Sequence, residues 1–452
     1  MPLHTGQFPP GPMPRELLPR IRKIQSDAPG FLKELSDQYG DVACFNVGRL
    51  PVYVISHPDG VKRVLQDGHK HYSKDTIQYN SLATITGRGL LTSDGPFWLR
   101  QRRLAQPAFS RPRTMALDQI VVPATQAMLE RWQRVEREGK PVDIDAEMMR
   151  LTLEIVGKAL FSIDLSRDAA RLTQAVLTAL DHIIYRARNL IVPPDSFPTL
   201  RNLRFRRALR TLNETVYAMI AERRASGKLG EDLLGMLLQA RDEETGAPME
   251  DAQVRDEVIT MLIAGHETVA SALTWTWYLL ARYPNERQRL REEVGRVLGG
   301  RMPVSSNLAS LPFTAQIFSE ALRLYPPAWV ISRRVIEPDE ILGYPAPVGT
   351  LIIISPYVVH RRVDFWDNPE DFLPARFSAE QDKQQHRFAY IPFGGGPRLC
   401  IGNQFAAVEA CLILAMVSQH FWLDLSDPAR VQMDALVTLR PRHGMHMTLH
   451  SY

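Results

Sequence analysis

Between Pro248 and Pro284 the chain carries no proline, and apolar residues crowd the stretch from Val258 to Leu280. A helix filling most of that interval, at about 1.5 Å per residue, is on the order of 45–50 Å long and crosses an entire domain. Val258 to Leu280 is also long enough for a bilayer. It holds His266 and Glu267, however, and ionisable groups are costly in lipid, so the pattern predicts a buried central helix. Helical spacing of apolar residues also marks Pro29 to Gly40, Phe97 to Ala105, Met115 to Glu138, Ala146 to Phe161, Arg167 to Arg188, Arg201 to Ser226, Phe313 to Arg323 and Gly402 to His420. Asp41 to Ile55 alternates and is rich in β-branched residues, with a turn at Gly48 to Pro51, which predicts a hairpin. Strand-like runs follow at Leu351 to Ser355 and Gly444 to His450. Helices dominate and the strands gather towards the two ends, so the expected fold is mainly α with a small β region (α+β). No repeat or low-complexity linker interrupts the chain. A single domain over residues 1–452 is expected, β-rich near 40–57, near 330–360 and at the C-terminal strands, and helical over 58–330 and 360–425.

Composition narrows the function classes. Apolar residues make up 45% and charged residues 23%, as in folded globular chains. Lys and Arg number 54 against 50 Asp and Glu, a net charge of +4, which argues against nucleic-acid binding. The three cysteines, Cys44, Cys400 and Cys411, are too few for a disulfide framework. They suit a reducing compartment, so a cytoplasmic protein is expected. Met1 to Pro14 is proline-rich without a long apolar run, and neither a signal peptide nor a membrane anchor is expected there.

One segment concentrates candidate chemistry: Phe393-Gly394-Gly395-Gly396-Pro397-Arg398-Leu399-Cys400-Ile401-Gly402. Three glycines and a proline define an irregular loop able to approach a flat cofactor. The cysteine stands just before a helix expected to start near Gly402, and helix N–H groups stabilise a thiolate. Arg398 could reach an anionic group of the same cofactor. The plainer reading is a buried structural cysteine after a glycine-rich turn.

These residues resemble the cytochrome P-450 signature Phe-x-x-Gly-x-Arg-x-Cys-x-Gly, matched by Phe393, Gly396, Arg398, Cys400 and Gly402. Other positions match that family in order and spacing: Trp98 and Arg102, Ala264-Gly265-His266-Glu267-Thr268, Glu320 and Arg323, Arg333, and Pro374-Ala375-Arg376-Phe377. The pattern is similar to soluble bacterial members of the fatty-acid-hydroxylase type, and the likeness runs along nearly the whole chain. It implies haem b (iron protoporphyrin IX) held by Cys400 between the long central helix and the helix after the Cys loop. In that family the thiolate pushes electron density towards O–O cleavage. Phe393, Gly402 and Ala264 would border the haem. Trp98, Arg102, Arg333 and Arg398, with His71 as a further candidate, would serve its propionates, each charge-assisted bond being worth about 1.5–3 kcal/mol. Thr268 would donate a hydrogen bond during oxygen activation and Glu267 would relay protons. Glu320, Arg323 and Arg376 would form a buried structural network, two arginines compensating one carboxylate.

The resemblance further implies a monooxygenase that puts one oxygen atom of O2 into a lipophilic small molecule, by hydroxylation or epoxidation. Electrons would come from a separate ferredoxin or flavodoxin-type system, since the chain ends soon after the haem region. That partner would dock on a face that includes Arg100, Arg103 and Arg387, and the protein would be a monomer. Alternatives are a peroxygenase or isomerase, or a non-enzymatic haem sensor. Leu82, Leu90, Ile263, Ala264, Ala328, Trp329 and Val330 would line the channel, each buried methylene contributing about 0.8 kcal/mol. Arg49 and Tyr53 resemble a carboxylate-binding pair of fatty-acid hydroxylases. Even spacing puts them on one face of a regular strand, but the turn at Gly48 to Pro51 argues instead for a solvated arginine and a packed tyrosine.

Overall fold

The computed structural model describes residues 8–452 except 166, 167, 190, 191, 242–245 and 247. The expected start of a helix at Arg167, and residues 1–7 of the proline-rich segment, lie outside the described residues. The chain divides into two compact units. One comprises Met1–Gln78, Ser319–Asn403 and Met433–Arg440; the other comprises Tyr79–Phe318, Gln404–Gln432 and Pro441–Tyr452. The secondary structure is mainly α with small sheets.

The first unit is built on a five-stranded sheet. Its edge is the predicted hairpin, Val42–Val47 against Leu50–Ile55, closed by the two-residue loop Gly48-Arg49. Gly48 has φ +61, the left-handed conformation that short hairpin loops place on glycine. Leu50–Ile55 pairs in parallel with Leu351–Ile354, which pairs antiparallel with Ile331–Val335, which in turn pairs with Tyr72–Ser73. Ile331–Val335 escapes the pattern of apolar positions because Ser332, Arg333 and Arg334 occupy its middle; its pairing with Leu351–Ile354 makes it a strand. Apolar clusters cover both faces of the sheet, one holding Tyr53, Ile55 and Ile352, the other Ala43, Val54 and Trp329.

The second unit is a helical body crossed by the predicted central helix, Asp251–Arg282, 32 residues long. It packs on Ile144–Phe161. The approach is close at Gly265, where a Cβ would lie 2.8 Å from Val156 Cγ2. Predicted helices are observed at Gly95–Ala105, Asp118–Arg137, Ala169–Arg188 and Leu200–Ala225. The helix Pro284–Leu298 was not anticipated, because its surface is dominated by Arg and Glu. A three-stranded sheet joins Val142–Asp143, His446–Ser451 and Phe421–Leu425. Among the described residues no helix is long and apolar enough to cross a membrane.

An ion-pair network organises the first unit ahead of the Cys loop. Arg323 donates to both carboxylate oxygens of Glu320, at 2.7 and 2.8 Å, and both side chains are wholly excluded from solvent. The rest of the guanidinium donates to the carbonyls of His360, Pro369 and Asp371. Glu320 Oε1 also accepts from Leu373 N–H at 2.9 Å and from Arg376 Nε at 3.3 Å. His360 extends the network: its Nδ1 lies 3.1 Å from the Arg323 carbonyl, and its Nε2 accepts from Ile391 N–H at 2.8 Å. That bond assigns the ring proton to Nδ1, and burial pushes the imidazole down to about 3, so it stays neutral. Removing one partner of a buried pair costs about 3–5 kcal/mol, a large share of a domain's stability. Glu320→Ala is therefore expected to give insoluble protein, measured as the soluble fraction after expression, whereas soluble protein with an unchanged melting temperature would remove the network from its organising role.

Candidate functional site

In the first unit the Cys loop folds back on itself. Cys400 N–H donates to the Phe393 carbonyl at 3.0 Å and Leu399 N–H to the Gly396 carbonyl at 3.1 Å. Gly394 and Gly396 adopt φ +72 and +63, values an L-residue reaches only under strain. Gly396 is pressed on a neighbouring segment: a Cβ there would stand 1.9 Å from the Leu65 carbonyl oxygen. On Gly395 it would stand 2.8 Å from the Phe388 ring. These two close approaches are to protein, a reason for the glycines that loop composition alone did not disclose. The following helix begins at Asn403.

The fold separates the three cysteines by environment. Cys44 and Cys411 are buried and Cys400 is exposed, which removes the reading of Cys400 as a buried structural residue. Burial pushes the thiols of Cys44 and Cys411 up to about 11 and about 12, so neither supplies a thiolate at neutral pH. Phe393, Arg398 and Gly402 are half-buried along the loop. Arg333 is buried on its strand, with one nitrogen donating to the Ser332 carbonyl at 2.8 Å. His71 faces two carboxylates, Asp339 at 3.9 Å and Glu337 at 4.0 Å. An exposed thiol on a loop whose glycines take left-handed conformations, with Arg398 two residues before it, suits a thiolate-ligated metal cofactor carrying acidic groups.

Two of the residues expected to meet substrate, Tyr53 and Trp329, are committed to the core of this unit. Tyr53 is fully buried, and its hydroxyl donates to the Pro345 carbonyl at 2.8 Å. Arg49 stands exposed in the hairpin loop. The strand alternation starts only at Leu50, so the pair shares no face and the carboxylate anchor is withdrawn. Trp329 likewise belongs to the core: it packs with Phe31, Leu35 and Leu439, and its indole N–H donates to the Leu436 carbonyl at 2.9 Å. Its neighbours Ala328 and Val330 are exposed and half-buried, respectively.

In the second unit the central helix carries Ala264 to Thr268 without a break. Thr268 Oγ1 donates to the Ala264 carbonyl at 2.6 Å, the back-bond to the preceding turn that its hydroxyl allows. Thr152 donates to the His266 carbonyl at 3.0 Å, so the carbonyls of Ala264 and His266, two residues apart, both take side-chain hydrogen bonds. Glu267 and His266 are buried, and Ala264 is half-buried. Leu82, Leu90 and Ile263 are buried apolar residues of the same unit. Trp98 and Arg102 lie one turn apart on Gly95–Ala105, both half-buried, with Arg102 Nε donating to Gln106 at 3.1 Å. Of the basic residues expected to meet a partner, Arg103 and Arg387 are exposed and Arg100 is half-buried.

Two residues that the reading from sequence passed over matter to this geometry. His360 ties the ion-pair helix to Ile391, shortly before the Cys loop. Glu257 is buried on the central helix and accepts the Leu90 N–H. A carboxylate at the edge of the apolar stretch, just before Val258, was the available signal for Glu257; His360 offered none.

The family described as Cytochrome P450 matches residues 9–447. Cyclooctatin synthase of Streptomyces melanosporofaciens is 37% identical over 91% of this chain and 87% of its own. Pentalenene oxygenase of Streptomyces avermitilis is 35% identical over 90% of each chain. A chloroplast protein of Arabidopsis thaliana, LUTEIN DEFICIENT 5, is 32% identical over 92% of this chain and 73% of its own.

The glycine geometry makes a direct prediction. Gly396→Ala combines left-handed strain, about 1–2 kcal/mol, with a backbone clash at Leu65. Thermal unfolding should show a lowered midpoint together with a faster-reacting Cys400 thiol in the cofactor-free protein. Wild-type values of both would show that the loop does not need glycine at this position.

Proposed function

The chain belongs to the cytochrome P450 family, and from that premise we infer that it works as a haem-thiolate monooxygenase. One atom of O2 enters a lipophilic organic molecule and the other leaves as water, with two electrons from a separate redox protein and two protons from solvent. Haem ligated by a cysteine thiolate supplies oxygen activation, the thiolate's electron push favouring O–O cleavage. The observation that carries the reading is Cys400, the exposed thiol among the three, held on a loop whose glycines take left-handed backbone conformations.

The chain's own residues take the following parts in this proposal. Cys400 ligates the iron. Arg398, Arg333, Arg102 and Trp98 serve the propionates, with His71 available beside its two carboxylate neighbours, and Phe393, Gly402 and Ala264 border the ring. Thr268 holds a hydroxyl at the Ala264 carbonyl, 2.6 Å away, from which it could turn to donate a hydrogen bond during oxygen activation. Glu267, buried beside it, passes protons onward. The presence of this acid–Thr pair supports the monooxygenase over the peroxygenase or isomerase alternatives, and over a sensor, which needs no proton relay.

We take the cofactor to be haem b, the redox partner a ferredoxin or flavodoxin that meets Arg100, Arg103 and Arg387, and the protein a cytoplasmic monomer. Sparse cysteines support the reducing compartment, and the exposed Arg103 and Arg387 support an acidic partner. Apolar Leu82, Leu90, Ile263, Ala264, Ala328 and Val330 are assigned to the substrate. One relative is named for oxygenating pentalenene and another, also from Streptomyces melanosporofaciens, for cyclooctat-9-en-7-ol. With Tyr53 committed to the core, a lipophile without a carboxylate suits the chain better than a fatty acid, and pentalenene is the first compound to test.

Ligation is tested by Cys400→His. The variant should lose the long-wavelength band of the reduced carbon monoxide complex; a band unchanged from wild type would transfer the ligand role to Cys44 or Cys411. Thr268→Ala should leave the haem spectrum intact while most reducing equivalents appear as hydrogen peroxide. Wild-type coupling of electrons to product would make Thr268 a packing residue, and product formed from peroxide alone, without reduced partner, would favour the peroxygenase.

A further inference from the structure

The loop 87–92 runs towards helix Gly95–Ala105, and side chains of the central helix grip its backbone. Arg88 N–H donates to Asp256 Oδ2 at 2.7 Å, and Leu90 N–H donates to Glu257 Oε2 at 3.0 Å. Gln253 Nε2 donates to Glu257 Oε1 at 3.0 Å and to the Arg88 carbonyl at 3.3 Å. The other oxygen of Asp256 accepts from Arg255 at 2.7 Å, and Arg255 also donates to Asn213 on helix Leu200–Ala225. The fit leaves no room for a side chain at Gly87 or Gly89. A Cβ on Gly87 would fall 2.1 Å from Asp256 Oδ2, and one on Gly89 would fall 2.0 Å from Thr260 Oγ1. Within the loop, Thr92 Oγ1 donates to the Gly87 carbonyl at 2.8 Å.

Glu257 is the costly member of this grip. It is 1% exposed, and its hydrogen-bond donors are a backbone amide and a neutral side-chain amide. Burial pushes its carboxyl up to about 7, against the pull of those two bonds. Burying a carboxylate without a cation is unfavourable, so helix stability does not account for it. Its position on the helix does. Glu257 precedes Ala264 by seven residues and Thr268 by eleven, close to two and three turns at about 3.6 residues each. All three therefore share one face, and the face that presents Thr268 also holds the Leu90 backbone.

We propose that Glu257 is a positioning residue for substrate: its carboxylate holds Leu90, an apolar wall of the pocket, in register with Ala264 and Thr268, and thereby sets which part of a lipophile reaches the oxidising centre. This rests on the monooxygenase reading. Asp256 and Gln253 complete the hold at Arg88, and Arg255 ties it to Asn213.

Two variants separate the hydrogen bond from mere volume. Glu257→Leu removes the acceptor, and Glu257→Gln keeps an oxygen for Leu90. Haem-loaded protein is titrated with imidazole and with 4-phenylimidazole, both of which ligate haem iron, while only the second carries bulk towards the wall. Glu257→Leu should leave imidazole affinity within about twofold and weaken 4-phenylimidazole at least about tenfold, the factor that 1.4 kcal/mol represents. Glu257→Gln should restore most of the difference. In parallel, trypsin cleavage after Arg88, an exposed residue, should quicken at least about tenfold in the leucine variant as the loop is released. If Glu257→Leu does not fold, Gln253→Leu carries the test and should move both readouts in the same direction by at least about threefold. Unchanged 4-phenylimidazole affinity together with unchanged cleavage would overturn the proposal. A wild-type protein that shows no azole spectrum would instead defeat the haem reading, and the cleavage rates would still judge the grip.

Discussion

Glu320 and Arg323 bring two opposite charges wholly out of water, and the geometry of the first unit follows from satisfying them. Each desolvated charge costs several kcal/mol, so every remaining donor and acceptor must find a partner of good geometry. The partners are the carbonyls of His360, Pro369 and Asp371, the N–H of Leu373 and the guanidinium of Arg376. These groups lie on a segment, 360–391, whose regular structure is limited to short helical turns. Such a segment has little ladder of its own to define its path, so the buried guanidinium defines it. His360 then passes the constraint to Ile391 through a neutral imidazole that both donates and accepts. The Cys loop begins immediately beyond. The start of the loop is thus tied to His360, whose carbonyl accepts from the buried guanidinium, and its glycines are pressed on Leu65 and Phe388.

The central helix of the second unit works on the same principle with different partners. Most of its length is buried, so each polar side chain inside it has to be accommodated locally. Thr268, Thr274 and Thr276 do so by donating back to carbonyls four residues earlier, on Ala264, Ala270 and Ala272. Of the three, Thr268 is the one to which the proposed function assigns a hydroxyl that changes partner. Glu257 and Asp256 look outward from the helix and capture backbone amides of the loop that carries Leu90. One helix thereby carries the Thr268 hydroxyl and holds the backbone of the loop with Leu90, and on the proposed function that would fix a substrate wall relative to the reacting centre.

Membership of a large family explains the chemistry better than the choice of substrate. The thiolate, the acid–Thr pair and the ion-pair network are common property of a scaffold that hosts many reactions. Two positions depart from expectation: the Tyr53 hydroxyl donates to the Pro345 carbonyl and the Trp329 indole to the Leu436 carbonyl, so both are committed to the core. The apolar residues that the proposed function assigns to substrate offer no charged anchor, so on that proposal recognition would depend on shape and the placement of Leu90 would matter.

Much of this was legible in the amino-acid sequence. Pro248 and Pro284 bracketed the central helix within a few residues of its ends, and the hairpin, most other helices and the Cys loop stood where pattern and motif put them. Local spacing suffices for these because a helix or hairpin brings together residues only a few positions apart. The spacing of Glu320 and Arg323 likewise predicted a shared helix face. Other features depended on which distant segment arrives alongside. Ile331–Val335 is a strand because Leu351–Ile354 lies beside it, and Gly396 is required by Leu65, far earlier in the chain. Tyr53 is core because Pro345 offers it a carbonyl, and Glu257 acquires its meaning from the N–H of Leu90. The sequence by itself therefore determined the elements, the family chemistry and the candidate thiolate. The tertiary structure decided which polar groups were already taken, because hydrogen bonds between distant segments leave no periodic trace along the chain.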